Sequence, residues 1–545
     1  MRRRLWLSIA AMAIGAGLLA AAGFASPAGK STPTSTSTAA KKGGTLQINI
    51  SSSDVDYIDP GLSYYVPSWA LLYVTCRQLL NYPDKPAPAG TRLYPDGATA
   101  FPKISRKGTV LTFTVRSGMR FSDGKAVTAA NYAAAIDRDA NPALASPAIP
   151  FFSDIVGADA VTAGHGKHVS GVVVKGNKLI IKLKAPHADI LSRLAMMFFC
   201  PVPLNMPVVA AGVNNFAGSG PYYVASRTPG RTIVLKRNKF YKGPRPHNAD
   251  QIVVTVNTNQ DTSLLQVERG SVDYDLGGHP GTADAQLQSK YGLNKKQYFV
   301  YPDIETNYFA LNTRRGFKNV NYRKAVNFGI DRLSLIKTQG KNFGSPTDKL
   351  LPPLMAGYIP TKVYPNHANV KQAKKLLHGA SPTVTLYEGG SDIRKARGAV
   401  LQNQLKAIGI KVNYQGFGTG VMYKKCGTKG EPFDICDVGW VADYPDPFDF
   451  IDVLLNGNNI HGSNNNNYPY FNDKHYNFLM GQAERQVGAK RYKLYGQLDI
   501  NITKNAAPMA NWVNVNNRDF ISSGTGCYTF QPIYTTPDFT LLCKK

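Results

Sequence analysis

The chain has 545 residues, of which 43% are hydrophobic and 18% are charged. This composition is typical of folded globular proteins, and it excludes both a disordered chain and one embedded in a membrane along its length. The length exceeds what one ordinary hydrophobic core organises, so we expect roughly two to four folding units. The 63 Lys and Arg residues outnumber the 35 Asp and Glu residues, which gives a net charge of +28.

The positive charge is spread along the chain and is not accompanied by a nucleic-acid-binding motif, so we expect no nucleic-acid partner. An exported protein of this charge would be attracted to anionic wall polymers or lipid headgroups without specificity. A role in solubility alone, with no partner, is the alternative interpretation. The charge by itself does not separate the two.

The first residues have the pattern of an export signal. Three Arg residues at positions 2–4 precede an apolar run over Leu5–Ala22, and small residues follow. This order predicts a signal peptide over residues 1–25, cut near its end, and a protein outside the cytoplasm. An uncleaved anchor is the alternative, because the apolar run has about 18 residues and a spanning helix needs roughly 20. No Cys stands directly after the apolar run, so we expect no lipid anchor. The Ser/Thr-rich residues 26–42 predict a flexible linker.

The remaining chain alternates predicted strands with helices, which is typical of α/β lobes built on mixed sheets. The expected strands are Gly44–Ser51, Val110–Val115, a hairpin within Val172–Leu183, Thr232–Arg237, Gln251–Val256 and Ile408–Tyr414. The expected helices are one that begins after Thr128, then Thr262–Gly270, Asn321–Lys337, Val370–Leu377 and Lys395–Leu405.

The most informative stretch runs from Lys107 to Asp139. It predicts a strand, turns at Ser117–Gly118 and Asp123–Gly124, and a helix with Thr128 as its N-cap. Many α/β proteins contain such a corner, but this order of residues is uncommon. The residues that define the order are Phe113, Thr114, Arg116, Gly118, Phe121, Asp123, Gly124, Thr128 and Ala129.

This phrase resembles the signature of the family 5 extracellular solute-binding proteins, the peptide-, dipeptide- and nickel-binding receptors of ABC importers. Asn131 stands where that family usually has Asp. The resemblance extends over roughly residues 43–520 through further family motifs that occur in the same order. These motifs are Asp59-Pro60, Ser219–Tyr222, Asn238–Gly243, Gly270–Asp273 and Asn321–Lys337.

The resemblance implies an α/β, two-lobed periplasmic-binding-protein-like (class II) fold with an extra domain inserted in the first lobe. The expected parts are a first lobe of residues 43–75, 190–305 and 508–545, an extra domain of residues 76–189, and a second lobe of residues 306–507. Two strands that cross near Asp303–Asn307 and Ala507–Trp512 would form the hinge.

The implied function is that of a monomeric, extracytoplasmic binding component of an ABC import system. It would bind a di- or oligopeptide, or a similar small solute, in the cleft between the lobes and deliver it to a membrane permease. Family members take peptides, nickel complexes, sugars and other solutes, so the resemblance leaves the ligand open. It implies no cofactor and no enzymatic activity.

Asp434–Leu455 is the segment most suited to contact the ligand. It predicts a buried strand that ends at Gly439-Trp440, a proline-stiffened turn, and a helix over Phe448–Leu455. Four aspartates recur at every third position, namely Asp443, Asp446, Asp449 and Asp452. The Gly and Glu of an EF-type calcium loop are absent from this pattern.

In the peptide-binding relatives the matching phrase is G-W-x-x-D, whose Trp lines the cleft and whose Asp accepts the ligand's α-ammonium. The resemblance therefore implies that Trp440 is a wall of the pocket and that Asp443 accepts an amine. The alternative is that Asp443 is an exposed turn residue. Oligopeptide-binding relatives also place an Arg three residues before the Trp, where this sequence has Asp437. A ligand carboxylate would then need a cation elsewhere, or the ligand would be longer, amidated or cationic.

The loop after Asp59-Pro60 faces the cleft in the family, and here it carries Tyr64, Tyr65 and Val66. Aromatic walls suit ligand side chains of varied shape. We therefore include these three residues among the expected ligand contacts.

Six cysteines in an exported chain indicate disulfides, for which 15 connectivities exist. Proximity in sequence favours the pairs Cys426–Cys436 and Cys527–Cys543, which leaves Cys76 with Cys200. A metal site is the poorer interpretation, because no Cys/His cluster has ligand spacing.

A secreted hydrolase and a cell-wall scaffold are the two alternatives to a binding protein. A secreted hydrolase acting on peptides or wall polymer would need a catalytic motif, and neither G-x-S-x-G nor H-E-x-x-H occurs. The pair His165 and His168 lies in a predicted turn region and is expected to be exposed. A cationic scaffold associated with the cell wall is supported by the net charge alone.

Overall fold

The computed structural model of the protein describes residues 42–51 and 55–545. The predicted signal peptide, residues 1–25, and the linker up to residue 41 lie outside these ranges. Within the described ranges, no helix is both long enough and apolar enough to cross a membrane.

A mixed five-stranded sheet, the first sheet, organises the first part of the chain. Thr45–Ser51 pairs in parallel with Gln251–Thr258 and with Tyr274–Asp275, whereas the other neighbours are antiparallel. Alternating apolar residues such as Leu46, Ile48 and Ile50 are buried on one face and form its core. Its strands, in spatial order, are Tyr274–Asp275, Thr45–Ser51, Gln251–Thr258, Thr232–Arg237 and Tyr222–Thr228.

A smaller antiparallel sheet, the second sheet, contains the signature phrase. Its strands are, in order, Lys103–Ser105, Val110–Thr114, Lys178–Lys182 and Val172–Lys175. The helix Ala129–Ala140 contacts two of these strands and begins after Thr128, as predicted. Asn131 closes a capping box with Thr128, because its side-chain oxygen accepts the Thr128 N–H at 2.8 Å. The Asn131 amide also donates to the Val202 carbonyl at 2.9 Å, a contact that the carboxylate usual in the family could not make.

A six-stranded sheet, the third sheet, organises the rest. The buried ring of Trp512 stacks on Phe309 and Phe343 and lies in its core. The strands, in spatial order, are Gly344–Pro346, Met509–Phe520, Tyr298–Leu311, Ile435–Val441, Thr383–Gly389 and Lys411–Phe417.

Two long antiparallel strands of the third sheet, Tyr298–Leu311 and Met509–Phe520, also reach the first sheet. Ile521, directly after the second of them, forms a bridge with Tyr274 of the first sheet. Their pairing shifts register between Pro302 and Thr306, so the ladder is interrupted midway.

The other elements cover these sheets. The α-helices not yet named are Val66–Thr75, Ile149–Phe152, Ala158–Thr162, Ile190–Arg193, Gln260–Arg269, Asp284–Tyr291, Val320–Gly329, Arg332–Lys337, Val370–Leu377, Asp392–Ile408, Thr419–Cys426, Phe448–Leu455, Lys474–Glu484 and Gly488–Asn501. Short turns of other helix types are Ala89–Thr91, Arg106–Gly108, Met197–Phe199, Gly281–Ala283, Gly457–Asn459 and Ile502–Ala506. Two-residue strand pairs are Leu80–Asn81 with Tyr94–Pro95, Thr525–Gly526 with Cys543–Lys544, and Phe530–Gln531 with Thr536–Pro537.

The single helix predicted over Asn321–Lys337 is two helices in the structure. The first ends at Gly329, and Ile330 has an extended backbone. Asp331 then caps the second helix by accepting the Ser334 N–H at 2.8 Å. The apolar spacing continues through the break, which is why periodicity alone did not reveal it.

The three cysteine pairs favoured by the sequence are bonded, namely Cys76–Cys200, Cys426–Cys436 and Cys527–Cys543. The first joins residues 124 positions apart, and the third joins residues 16 positions apart. Because loop-closure entropy rises with loop length, the first bond constrains the unfolded chain most.

Replacing both Cys76 and Cys200 by Ala should lower the free energy of unfolding by about 2–4 kcal/mol. The matched double replacement of Cys527 and Cys543 removes a bond that closes a much shorter loop. It should therefore lower the free energy of unfolding by less. Denaturant unfolding of the two variants under identical conditions measures both values. Equal losses, or a larger loss for the 527/543 variant, would contradict the loop-length argument.

Candidate ligand-binding site

A cavity of about 1350 Å³ is lined by groups of residues that are far apart in the sequence. One wall carries Tyr64, Tyr65, Val66 and Trp69, which belong to the part of the chain that packs on the first sheet. The facing wall includes residues 439–443, at the end of a strand of the third sheet. Five of the six residues predicted to contact a ligand therefore line one cavity, and these are Tyr64, Tyr65, Val66, Trp440 and Asp443.

The aromatic wall is held in place by Asp56. Its carboxylate accepts the backbone N–H groups of Tyr64 at 2.7 Å and Tyr65 at 3.1 Å, and also the Ser68 hydroxyl. Tyr65 caps the helix that begins at Val66, and 39% of its surface is exposed. Burial raises the pKa of Asp56 even though these donors oppose the shift. Sequence reasoning missed Asp56, since its partners are defined only by the folded loop.

The facing wall is the predicted strand, turn and helix. The strand Ile435–Val441 ends beside the cavity, and the helix Phe448–Leu455 begins directly after Pro447. Asp449, in the first turn of this helix, accepts the Asp443 N–H at 2.9 Å and the Trp440 indole N–H at 3.3 Å. One carboxyl group thus fixes both the turn and the aromatic ring, a role that the sequence did not reveal.

The two walls meet at Asp443. The Tyr64 hydroxyl donates to Asp443 Oδ2 at 2.7 Å, across 379 positions of sequence. The rings of Tyr64 and Trp440 meet edge to face at 6.4 Å between centroids. Asp443 is 8% exposed, so the alternative of an exposed turn aspartate does not hold.

Asp443 has no cationic partner in the described part of the chain: no Lys, Arg or His nitrogen lies within ion-pair distance of its carboxylate. Burial raises its pKa to about 7, while the hydrogen bond from Tyr64 acts in the opposite direction. A buried carboxyl group in this setting gains stability from any cation that enters the cavity.

The structure does not bring Asp437 to the cavity with Trp440 and Asp443. Successive side chains of a strand alternate between faces, so residues three apart lie on opposite faces. Asp437 is 1% exposed and accepts the Arg397 Nε–H at 2.6 Å. Its partner is therefore inside the protein, and the sequence expectation for Asp437 did not account for strand parity.

Two cations line the cavity that sequence reasoning did not single out. Arg394, near the start of the helix Asp392–Ile408, is 3.4 Å from the Asp437 carbonyl and 3.7 Å from Glu388. Arg518 donates to Asp284 Oδ2 at 2.9 Å. Arg394 has five N–H donors, and Tyr423 is a further hydrogen-bond partner of its guanidinium.

The two remaining aspartates of the four-membered series face the protein interior. Asp446 accepts from Arg491 at 2.7 Å, and Asp452 accepts from the Tyr495 hydroxyl at 2.7 Å. Burial raises the pKa of Asp452 to about 8. The series therefore supplies one cavity-lining carboxyl group, Asp443, and three that are enclosed by the protein.

With the geometry established, the chain can be assigned to a family. The family model of bacterial extracellular solute-binding proteins, family 5 Middle, matches residues 92–462, which is more than half of the chain. The protein belongs to this family. Its members are binding proteins, and the predicted resemblance is confirmed.

Individual relatives agree. The oligopeptide-binding protein OppA of Bacillus subtilis (strain 168) is 25% identical over 574 aligned positions, covering 98% of this chain and 100% of that protein. The clavulanic acid biosynthesis oligopeptide binding protein 2 superposes with a TM-score of 0.84 at 21% identity, covering 92% and 96%. Haemophilus influenzae OppA in complex with RPPGFSPFR gives 0.78 at 19% identity, covering 93% and 99%. The fold is therefore two-lobed, and we call the parts built on the first and third sheets the first and second lobes.

Replacing Tyr64 by Phe should raise the pKa of Asp443 above about 7, because it removes a hydrogen bond that stabilises the carboxylate. Carbon-13 NMR titration of the aspartate carboxyl groups measures the shift. Tyr65→Phe is the matched control, since the Tyr65 hydroxyl makes no hydrogen bond to Asp443 in the described structure. An unchanged Asp443 titration in Tyr64→Phe would show that the 2.7 Å contact is not populated in solution.

Proposed function

We propose that the protein binds peptides with a free amino terminus in the cavity between its lobes. The single observation that carries this proposal is Asp443, a buried carboxyl group that lines the cavity and has no cation partner among residues 42–51 and 55–545. A ligand α-ammonium at Asp443 would form a charge-assisted hydrogen bond, which contributes roughly 1.5–3 kcal/mol. The names of the relatives support the same ligand class.

The walls of the cavity suit a peptide chain. Tyr64, Trp69 and Trp440 present rings that pack against side chains of varied shape without fixing their sequence. A volume of about 1350 Å³ exceeds the roughly 300–1000 Å³ of pockets for drug-sized molecules. We therefore propose oligopeptides rather than single amino acids as ligands.

Arg394 is proposed to bind the ligand carboxylate. The Arg that oligopeptide-binding relatives place three residues before the Trp is Asp437 here, and Asp437 is paired inside the protein. Arg394 lines the cavity, and Glu388 and the Asp437 carbonyl both contact its Nη1. A guanidinium held in this way is suited to bidentate carboxylate binding.

The lobes are proposed to close on the ligand about the two crossing strands, near Asp303–Asn307 and Ala507–Trp512. The interruption of their ladder between Pro302 and Thr306 supports this position, because fewer hydrogen bonds restrain bending there. The proposed lobe boundaries are those expected from the sequence, with residues 76–189 as an extra domain. The closed, monomeric protein would then deliver its peptide to an ABC permease.

We further propose that residues 1–25 direct export and that bound peptide is released unchanged. Recovery of intact peptide after prolonged incubation, measured by mass spectrometry, supports a receptor. Cleavage products that depend on the protein would support the hydrolase alternative instead.

Asp443→Asn keeps the shape of the side chain and removes its charge. Affinity for pentaalanine with a free amino terminus should fall by roughly tenfold or more, as measured by isothermal titration calorimetry. N-acetylated pentaalanine should bind the wild type poorly and lose little more on mutation. Equal affinities of the wild type and Asp443→Asn for the free-amine peptide would remove Asp443 from the site.

Arg394→Gln should weaken binding of pentaalanine with a free carboxylate by about tenfold, but leave the affinity for its C-terminal amide nearly unchanged. The matched control is Lys395→Gln, which removes a neighbouring charge whose partner is Asp392 at 3.1 Å. If both variants lose affinity to the same extent, the effect is one of general charge and Arg394 has no specific role.

A further inference from the structure

Asp449 is a buried carboxyl group whose two oxygens have very different surroundings. Oδ2 accepts the Asp443 and Trp440 N–H groups, as described above. Oδ1 is fully buried and has no hydrogen-bond partner among the described residues. An ionised carboxylate accepts hydrogen bonds but cannot donate, so a buried Oδ1 without donors is costly in that form. The Asp449 carboxyl group also contacts the Asp443 carboxyl group, so a protonated Asp449 has an acceptor available.

Within the described chain, the pair formed by Asp443 and Asp449 lacks a cation. Neither carboxyl group has a Lys, Arg or His nitrogen within 4 Å, whereas Asp446, three residues from each, is paired with Arg491. Two adjacent carboxylates that were both ionised would carry two uncompensated negative charges inside the protein. At least one proton is therefore expected to stay on the pair.

The other groups that face the pair do not change this balance. Tyr64, Tyr82 and Tyr444 interact electrostatically with the pair, and burial raises the pKa of each, so all three stay neutral. Arg193 lies over the Phe448 ring at 4.3 Å, but its ion pairs are with Asp189, Asp154 and Glu484. The helix start favours a negative charge on Asp449, but this effect is at most modest.

The position of the proton follows from the same contacts. The contact between the two carboxyl groups lowers the pKa of Asp443 and raises that of Asp449. Asp449 is also fully enclosed, whereas Asp443 borders the cavity. Asp449 therefore keeps its proton and donates to Asp443, while Asp443 titrates near pH 7.

We propose that Asp449 stays neutral and Asp443 gives up its proton when a ligand ammonium enters, so that binding of an amine releases one proton. The inference rests on the proposed peptide-binding function and adds its coupling to pH. The single negative charge of the pair then matches the single positive charge of the ammonium. Asp449 acts as a positioning residue, because it orients Asp443 and Trp440 without meeting the ligand's charge itself.

The direction in which the affinity for an amine changes with pH follows from the protonation state of Asp443. In the free protein the pKa of Asp443 is about 7, and a bound ammonium lowers it. Affinity for an amine is therefore highest between about pH 7 and the pKa of the free α-amine, about 8. It decreases as the pH falls below about 7, by about tenfold per pH unit. The decrease ends at the lower pKa of the complex.

The test is calorimetry of pentaalanine in two buffers of different ionisation enthalpy, which counts the protons released. The wild type should release close to one proton at about pH 6, where the peptide amine is already charged. At about pH 8.5 it should release none and should instead take up protons, because the free α-amine has a pKa of about 8 and binds as an ammonium. Asp449→Asn mimics a neutral Asp449, since its amide can donate to Asp443 and its oxygen can accept the two N–H groups. It should keep both the affinity, within about threefold, and the proton release.

Asp443→Asn should lose the proton release together with the affinity. Asp452→Asn is the matched control, because it removes another buried carboxyl group of the same helix that contacts Tyr495 and not Asp443. It should leave both quantities unchanged. Infrared difference spectra of the ligand-free protein at about pH 8.5 should show a protonated-carboxyl band that Asp449→Asn removes and Asp443→Asn retains.

The outcomes separate the two proposals. Binding of pentaalanine without proton release, or a loss of affinity in Asp449→Asn as large as in Asp443→Asn, overturns the proton coupling and leaves the receptor function intact. No binding of pentaalanine or other free-amine peptides by the wild type overturns the receptor function. Absence of the infrared band lost in Asp449→Asn overturns the neutral state of Asp449 whether or not a peptide binds.

Discussion

The burial of four aspartates within ten residues is the constraint on which the rest of the site depends. A buried carboxyl group must find a cation, hydrogen-bond donors or a proton. Asp446 has Arg491, Asp452 has the Tyr495 hydroxyl, and Asp449 has two N–H donors. Asp443 has the hydroxyl of Tyr64, from the opposite lobe, and the Asp449 carboxyl group, but no cation among the described residues. The incomplete solution is the one that faces the cavity, where a ligand can complete it.

The same turn also connects the lobes away from the ligand. The Tyr444 hydroxyl donates to Asp189 Oδ2 at 2.9 Å, and Arg193 donates to the same carboxylate at 2.8 Å. Arg193 also stacks on Phe448 at 4.3 Å. Neighbouring residues of one turn thus contact the first lobe through both the ligand-side carboxylate and an interior ion-pair network. Any movement of the lobes relative to each other would therefore change the surroundings of Asp443.

Sequence reasoning succeeded where structure depends on near neighbours. Thr128 caps its helix, and the helices Val370–Leu377 and Phe448–Leu455 have the predicted ends, because caps, prolines and apolar spacing act over a few residues. It failed where the partner is distant in sequence or hidden by a continuous pattern. Tyr64 and Asp443 were both named as ligand contacts, but their direct hydrogen bond spans 379 positions and no local signal encodes it. The supporting roles of Asp56 and Asp449 became visible only from the folded loops.

Asp437 shows how a departure from the family pattern can be absorbed by the fold. A negative charge in place of the relatives' Arg would repel a ligand carboxylate if it faced the cavity. Strand parity instead directs it toward Arg397, which compensates the charge inside the second lobe. The Asp437 backbone carbonyl is in turn one of the groups that hold Arg394, a cation that does line the cavity. The positive charge is thus retained at the cavity and supplied by a helix instead of a strand. Under the role proposed for Arg394, the recognition chemistry persists although the residue that performs it has moved, and the position of a single motif residue does not by itself define the ligand.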